Sequence, residues 1–188
     1  MGLLDKFKSK FVSAEGKANP PEASFATRSD AVYAPISGVL VSLQEVKDEV
    51  LPVGLLGDGY GIVPTTDTGI IYSPVSGRVG AVTTTNHSIV IATDEGMEVL
   101  VHVGIGTVNM KGKGFNSLVK MGDAVRAGQP LLTFDNASIK LAGYDDVVTC
   151  TISNPDAFSK VEHVGDSGTL LGGRPLVKIG DPLLVVKK

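Results

Sequence analysis

The sequence is poor in cysteine and in long apolar runs. A single cysteine, Cys150, in 188 residues excludes an internal disulfide framework and fits a reducing compartment. No apolar stretch approaches the roughly 20 residues that a membrane-spanning helix needs. The first residues also lack the hydrophobic region and the small-residue cleavage site of a secretory signal. We therefore expect a cytoplasmic protein.

Outside the N-terminus, negative charges outnumber positive ones. The formal net charge is −3, and residues 1–12 contribute +2 through three lysines and one aspartate, so the remaining residues together carry −5 (−3 minus +2). Nucleic-acid-binding domains usually present a basic patch. The charge distribution therefore argues against nucleic acid as a partner.

The N-terminal residues have helical periodicity. Leu3, Phe7 and Phe11 are spaced i, i+4, i+8 with lysines on the other side, a pattern typical of a short basic amphipathic helix. A helix of about three turns is marginal alone in water. We therefore expect residues 1–12 to order against an anionic membrane surface, with docking on the protein's own domain or disorder as alternatives. Residues 13–30, without periodicity and with two adjacent prolines, predict a flexible linker.

From residue 31 onward the sequence is typical of strands and turns. Many of the 23 glycines and 10 prolines separate short runs of Val, Ile, Leu and Thr. The segment YAPISG at 33–38 returns as YSPVSG at 72–77, which predicts a sheet built by duplication; chance recurrence of a turn is the alternative. We expect one all-β domain over 31–188, an antiparallel sandwich or barrel. A late helix is predicted to begin at Asn154 and to carry His163 on its surface, and Cys150 is predicted to be a buried strand thiol.

Two of the three histidines flank an apolar run that is interrupted by Asp94, Glu95 and Gly96. If Asp94 and Glu95 form the tip of a hairpin, His87 and His102 lie directly opposite each other with Cβ atoms about 4.5–5.5 Å apart. A three-residue tip ending in Gly96 would shift the register by one residue and place the histidines on opposite faces. We expect the facing arrangement.

Two adjacent imidazoles point to nucleophilic chemistry. Two protonated rings would repel, so at least one should be neutral near pH 7 and should carry a free ring nitrogen. One ring could attack phosphorus while the other donates a hydrogen bond to the phosphoryl oxygens. The Thr85 hydroxyl could orient a ring, and the Gly104 carbonyl could hold a nitrogen of His87. The alternatives are a bridging metal, for which nearby ligands are lacking, and a pair of core histidines.

Around these histidines the sequence resembles the glucose-type IIA component of the bacterial phosphoenolpyruvate:sugar phosphotransferase system. The resemblance covers residues 31–188 in order and includes the spacing of the two histidines. The basic N-terminus and the linker also resemble those of some members. The shared motifs are TNH at 85–87, VHVGIGTV at 101–108, KGKGF at 111–115, APISG at 34–38, GDG at 57–59, SPVSG at 73–77 and ISN at 152–154.

The resemblance implies a duplicated antiparallel β-sandwich and a role for each histidine. His87 would accept a phosphoryl group on Nε2 from the histidine-containing phosphocarrier protein (HPr) and pass it to a cysteine on the IIB domain of a sugar permease. His102 would stabilise the phosphoryl group, and Thr85 would orient His102. Both partners would dock on an apolar ring around the histidines. By motif, this ring consists of Val50, Leu51, Leu55, Leu56, Val90 and Leu100.

The sequence departs from this family at two positions of the expected docking surface. Gly106 and Asn109 stand where relatives often carry Asp and Glu, so we expect weaker steering of a basic HPr patch. No cofactor is required, although His87 and His102 could share zinc with a carboxylate of a partner. Regulated permeases or kinases are further expected partners. The alternative function is a non-catalytic regulatory or metal-binding descendant; a biotinyl carrier modified at Lys120 and a zinc peptidase fit less well.

Overall fold

The computed structural model describes residues 19–46, 56–66 and 68–188. The predicted N-terminal helix, residues 1–12, therefore lies outside the described residues, as do residues 13–18 of the predicted linker. The described chain contains one α-helix, α1 (Asn136–Leu141), and three short 3-10 helices (Leu43–Glu45, Thr107–Met110 and Pro155–Ala157). Its fifteen strands are β1 (Ala31–Tyr33), β2 (Gly38–Ser42), β3 (Asp58–Pro64), β4 (Thr68–Tyr72), β5 (Gly77–Val82), β6 (Ser88–Ala92), β7 (Glu98–Ile105), β8 (Phe115–Ser117), β9 (Ala124–Val125), β10 (Pro130–Asp135), β11 (Asp145–Ile152), β12 (Lys160–His163), β13 (Leu170–Leu171), β14 (Arg174–Val177) and β15 (Pro182–Lys187).

These strands form three antiparallel sheets around one core. The largest has nine strands in the order β13-β14-β2-β3-β11-β7-β6-β5-β9, and the two smaller sheets have the orders β1-β15-β12 and β4-β10-β8. Val32 and Leu184, Ile71 and Leu132, and Ile89 come from the three different sheets and belong to the same fully buried cluster. The predicted antiparallel sandwich is confirmed. It is an open one, because no sheet closes into a barrel among the described residues.

The two copies of the repeated YxPxSG motif bind each other. The backbone N–H of Tyr33 donates to the carbonyl of Pro74 at 3.0 Å, and that of Tyr72 donates to the carbonyl of Pro35 at 2.9 Å. Each motif ends one strand and begins the next, since proline cannot donate to a ladder and the following turn restarts the chain. The two bonds are reciprocal, as expected of two motifs that arose by duplication.

The serines of the two motifs repeat the same relationship. The Ser37 hydroxyl accepts from the backbone of Ile179 at 3.1 Å, and the Ser76 hydroxyl accepts from the backbone of Ala127 at 3.0 Å. Equivalent side chains thus make equivalent contacts with two different later segments. The contacts support duplication rather than chance recurrence of a turn formula.

The predicted late helix is wrong beyond its first turn. A single 3-10 turn covers Pro155–Ala157, and the chain then continues as β12, which ends at His163. The Asn154 side chain does not cap a helix, because its oxygen accepts from the N–H of Glu98 and its amide donates to the carbonyl of Gly96, both at 2.9 Å. The Asn154 side chain therefore stabilises the tip of the β6–β7 hairpin.

Two further predictions concern single side chains. Cys150 is fully buried in β11, as expected, and burial raises the pKa of its thiol to about 12. His163 lies on the surface, also as expected, but on a strand. Its Nε2 is 2.6 Å from the carboxylate of Asp58, and its ring packs against Tyr60 at 4.8 Å between centroids.

The second half of the predicted linker lies along the domain. The backbone of Ala23 donates to the carbonyl of Gly128 at 2.8 Å, and the Phe25 ring packs against Tyr33 with centroids 5.2 Å apart. Gly128 permits this contact because a Cβ there would lie 2.0 Å from the Ala23 carbonyl oxygen. Contact with the domain therefore begins before residue 31.

Candidate active site

The hairpin formed by β6 and β7 carries the histidine pair, with a register different from the expected one. Its tip is the three-residue alternative. The backbone N–H of Thr93 donates to the carbonyl of Met97 at 2.9 Å, and Gly96 has a φ of 90°. Glycine adopts this left-handed conformation without steric cost, which favours the longer tip. Ser88 rather than His87 is consequently the residue opposite His102. The predicted register is wrong by one residue.

The two histidine rings nevertheless meet. Their centroids are 4.8 Å apart and their planes are nearly perpendicular, at 87°. His87 lies just before β6 and follows Asn86, which has a φ of 57° and closes a turn by donating to the carbonyl of Thr83 at 2.9 Å. The strict alternation of a strand does not extend to a residue that follows such a turn. The facing arrangement is thus present, with a geometry that the sequence did not predict.

Two threonine hydroxyls lie at Nδ1 of His87. The Oγ1 of Thr85 is 2.5 Å from this nitrogen and that of Thr83 is 3.4 Å from it. Thr85 is therefore placed to orient His87. Its expected role toward His102 stays a prediction. Thr83 was not expected at the site. Its hydroxyl also accepts from the N–H of Ser88 at 3.1 Å and so stabilises the turn before β6.

Gly104 is important at the site because it has no side chain. Among the described residues, the hydrogen bonds of the His87 ring go to the threonines and not to the Gly104 carbonyl. Gly104 has a φ of 78°, and a Cβ there would lie 2.3 Å from the side chain of Thr107 and 2.9 Å from the carbonyl of Asp145. Only glycine fits this position, where β7 passes close to the following 3-10 turn.

The environment of His87 favours a neutral ring. His87 is 5% exposed, whereas His102 is half-buried. Burial lowers the pKa of His87 below its usual value of 6.5, because a protonated ring loses hydration inside the protein. Phe115, from the KGKGF motif, supplies part of this apolar wall at 6.2 Å between ring centroids. In the tautomer that carries its proton on Nδ1, the ring can donate to Thr85, and Nε2 then has the free lone pair.

The expected apolar docking ring is only partly within the described residues. Val50, Leu51 and Leu55 lie outside them. Val90 and Leu100 are half-buried and directly opposite each other in the β6–β7 hairpin, on the face that also carries His102. Leu56 is 4% exposed, so its side chain belongs to the core. Val90 and Leu100 remain candidates for partner contact.

The two positions at which the sequence departs from the family, Gly106 and Asn109, lie next to each other at the end of β7. Gly106 has a φ of 74°, and a Cβ there would lie 3.0 Å from the ring of Tyr144. A side chain at this position would begin 3.0–3.1 Å from an aromatic ring. Asn109, at the second departure, is exposed on the adjacent 3-10 turn, and Lys111 and Lys113 follow it on the surface.

The described residues provide few metal ligands close to one another. No group of three or more His, Cys, Asp or Glu side chains comes together in residues 19–46, 56–66 and 68–188. His87 and His102 alone supply two ligands, fewer than zinc takes in structural or catalytic sites. The predicted zinc shared with a partner therefore stays a prediction. No helix in the described part of the chain is long and apolar enough to cross a membrane.

The open antiparallel sandwich and its pair of adjacent histidine rings have the architecture expected of a phosphoryl-carrier domain that works through histidine. Residues 30–158 match the family described as phosphoenolpyruvate-dependent sugar phosphotransferase system, EIIA 1. The chain belongs to this family.

Individual relatives agree with this assignment. The chain is 35% identical over 170 residues to the PTS system glucose-specific EIIA component of Halalkalibacterium halodurans, covering 90% of this chain and 96% of the relative. It is 38% identical over 156 residues to the PTS system beta-glucoside-specific EIIBCA component of Bacillus subtilis, covering 82% of this chain and 25% of that protein. The chain thus spans about a quarter of the length of that relative. The solved glucose permease IIA from Mycoplasma capricolum matches with a TM-score of 0.66 and 30% identity, covering 87% of this chain and 99% of that one.

Proposed function

We propose that the chain carries a phosphoryl group from HPr to the cysteine of a IIB permease domain, with His87 as the acceptor. The observation that carries the proposal is the geometry at His87: Thr85 engages Nδ1 at 2.5 Å, and the His102 ring lies 4.8 Å away. Similarity to proteins named as EIIBCA components supports a IIB partner.

The acceptance step is a substitution at phosphorus. The lone pair on Nε2 of His87 attacks the phosphoryl group of the donor phosphohistidine, and the new P–N bond forms as the old one breaks. The electron pair of the broken bond stays on the donor ring, which keeps the proton on its other nitrogen and leaves as neutral imidazole. His87 keeps its own proton on Nδ1, where the Thr85 hydroxyl accepts it as a hydrogen bond. Because proton counts do not change, the step is readily reversible.

His102 would stabilise the group in transit. A phosphoryl group adds close to two negative charges at neutral pH, and an imidazole N–H beside it can donate to a phosphoryl oxygen. His102 is half-buried while His87 is nearly enclosed. Burial of His87 also limits access of water, which protects a phosphohistidine from hydrolysis.

Delivery reverses the first step with a different acceptor. A cysteine thiolate of the IIB domain attacks phosphorus, the P–Nε2 bond breaks, and its electron pair returns to His87, which is again neutral. A depressed pKa at His87 makes the neutral ring the normal product at pH 7. The carrier is thereby ready for another cycle.

A phosphotransfer assay tests the proposal. Incubation with labelled phosphoenolpyruvate, enzyme I and HPr should give a phosphoprotein that is labile to acid and stable to base, whereas His87→Gln should remain unlabelled. His102→Gln should accept the group and then pass it poorly to a IIB domain. A wild-type protein that takes up no label, or label that persists in His87→Gln, would contradict the assignment.

A further inference from the structure

Residues 19–30, which we call the strap, lie against two equivalent turns of the duplicated domain. In one turn, the N–H of Gly128 donates to the carbonyl of Ser73 at 2.9 Å. In the other turn, the N–H of Gly180 donates to the carbonyl of Ala34 at 3.1 Å. Ser73 and Ala34 occupy the same position in the two copies of the YxPxSG motif, so the two turns are equivalent parts of the two halves.

Each turn contacts one residue of the strap at its glycine. The N–H of Ala23 donates to the carbonyl of Gly128 at 2.8 Å, and a Cβ on Gly128 would lie 2.0 Å from the Ala23 carbonyl oxygen. The Phe25 ring lies over Gly180, where a Cβ would be 2.5 Å from two of the ring carbons. A side chain at either glycine would clash with the strap, so both contacts depend on the close approach that glycine permits.

The strap extends from the tip of the β6–β7 hairpin to the end that carries the histidines. Residues 27–29 line a cavity of about 300 Å³ together with residues 93–95 of the tip. At the other end of the strap, residues 19 and 20 line a cavity of about 590 Å³ together with Phe115. The Phe115 ring is 6.2 Å from the His87 ring between centroids. Residue 19 therefore lies at the histidine end of the hairpin.

The strap changes the place at which the N-terminal segment leaves the domain. A chain that left the domain at residue 30 would emerge at the hairpin tip, about 20 Å from His102 along β7. Contact of the strap with the domain moves this point to residue 19, at the histidine end. Only residues 13–18 then separate the domain from the predicted amphipathic segment 1–12. These six residues can span at most about 21 Å.

We propose that the strap turns the histidine pair toward the membrane surface that residues 1–12 bind. The N-terminal segment and the histidine pair lie at the same end of the domain, so lipid bound by the segment faces the site. The surface is an anionic bilayer, because residues 1–12 carry lysines opposite an apolar stripe. A phosphoryl acceptor in the same membrane then meets the histidine pair without reorientation of the carrier, a consequence that rests on the proposed function.

Energy transfer to labelled lipid tests the orientation without any phosphoryl transfer. Cys150 is buried, so a fluorophore reacts selectively with a cysteine introduced at an exposed position. Asn116→Cys places it in the cavity at the histidine end, and Asp94→Cys places it at the hairpin tip. On vesicles that contain anionic lipid and a lipid-linked acceptor, Asn116→Cys should show the higher transfer efficiency. Equal efficiencies, or no energy transfer at either position, would overturn the inference.

Release of the strap should abolish the difference between the two label positions. Glu22 forms an ion pair with Arg126 at 3.0 Å and Phe25 packs on Gly180, so Glu22→Ala combined with Phe25→Ala removes two contacts that hold the strap. In this variant the Ala23 amide, bonded to the domain in the wild type, should exchange its hydrogen with solvent roughly tenfold faster. A difference between label positions that persists despite faster exchange would show that the strap does not set the orientation.

Ser24→Ala combined with Thr27→Ala is the matched control within the strap. Both residues are exposed, and neither side chain makes a hydrogen bond among the described residues. This variant should keep the wild-type exchange rate at Ala23 and the wild-type difference between the label positions. Loss of the difference in this control as well would contradict the role assigned to the two contacts.

Phosphoryl transfer to a permease in the same membrane separates the strap from the site. Release of the strap lengthens the tether from six residues (13–18) to eighteen (13–30). Effective concentration falls with roughly the −3/2 power of linker length, so transfer should be about fivefold slower. Transfer to a soluble IIB domain should equal that of the wild type, and equal slowing with both acceptors would overturn the inference. A wild-type protein that accepts no phosphate refutes the proposed function itself, whereas the strap is still judged by energy transfer.

Discussion

The Thr85 hydroxyl lies 2.5 Å from Nδ1 of His87. In the proposed function, this contact selects the ring nitrogen that faces the phosphoryl donor. A ring that keeps its proton on Nδ1 leaves Nε2 as the nucleophile, whereas the other tautomer would place the lone pair beneath the hydroxyl. The contact is local, spanning two residues. It depends on the turn at Asn86, whose positive φ brings the Thr85 side chain and the His87 ring together.

Thr85→Val should therefore slow phosphoryl acceptance. The variant removes the hydrogen-bond acceptor for Nδ1–H and keeps the size of the side chain. A loss of about 1–2 kcal/mol corresponds to a rate of acceptance from HPr roughly 5- to 30-fold lower. Single-turnover labelling of the two proteins measures the difference.

Thr84→Val is the matched control within the same TTT segment. Thr84 is exposed, and its side chain makes no hydrogen bond among the described residues. Its acceptance rate should equal that of the wild type. Equal slowing of both variants would assign the effect to the loop as a whole and remove the specific role of Thr85.

The buried environment of His87 predicts the pH dependence of acceptance. Burial lowers the pKa of His87 below 6.5, so the neutral, nucleophilic form predominates at pH 7. The acceptance rate should be constant from pH 8 to 7 and should fall only at pH values below 6.5, as the ring becomes protonated. The measurement is single-turnover labelling of the wild type between pH 5 and 8, with HPr phosphorylated beforehand. A rate that already halves at or above pH 7 contradicts a lowered pKa.

The lowered pKa of His87 also makes the free energy of unfolding depend on pH. Below pH 6.5 the unfolded chain binds a proton at this histidine more readily than the folded protein does, so the free energy of unfolding decreases as the pH falls. His87→Gln lacks this titration. Its free energy of unfolding should therefore depend less steeply on pH between 6.5 and 5 than that of the wild type, as measured by denaturant titration. Parallel pH profiles for the two proteins would remove His87 as a source of acid sensitivity.

The sequence predicts the class of fold and the duplicated motif because both depend on local punctuation. Proline stops a strand and Ser-Gly restarts it, and each copy of the motif does this in the structure through reciprocal bonds between Tyr33 and Pro74 and between Tyr72 and Pro35. The histidine pair is predicted because the hairpin brings residues on both sides of a Gly-containing tip together. The sequence does not predict the exact register of the hairpin. The same residues could form a two-residue or a three-residue tip, and the positive φ of Gly96 decides between the two.

Features that depend on distant contacts are the ones that the sequence does not predict. Asn154 has the composition of a helix cap, yet its side chain bonds to the hairpin tip 56 and 58 residues away. The short helix α1 begins at Asn136 after Asp135, whose carboxylate accepts from the hydroxyl of Ser138 at 2.6 Å. Six residues are too few to show helical periodicity. Thr149 is adjacent to His102 only through the pairing of β11 with β7.

Deletion of residues 2–12 tests the amphipathic segment independently of the domain. The segment has three lysines and an apolar stripe, features of helices that bind anionic membrane surfaces. The truncated protein should accept phosphate from HPr at the wild-type rate and should bind less to vesicles containing anionic lipid, as measured by co-sedimentation at low and physiological salt. A variant with Lys6, Lys8 and Lys10 changed to Gln separates charge from apolar contact. Equal sedimentation of truncated and full-length protein would remove the membrane role.

The backbone conformation of Gly106 predicts that a side chain at this position lowers the free energy of unfolding. Gly106→Ala must place a Cβ at a φ of 74° and 3.0 Å from the Tyr144 ring. Gly122→Ala is the matched control, because Gly122 has a φ of 93° and no atom within 4 Å of the Cβ position. The left-handed backbone alone costs about 1–2 kcal/mol, so both variants should lose that much in free energy of unfolding. Gly106→Ala should lose more, because the Tyr144 ring must also shift. Denaturant unfolding of the two variants measures the difference, and equal losses would show that Tyr144 yields freely and that backbone conformation alone selects glycine at 106.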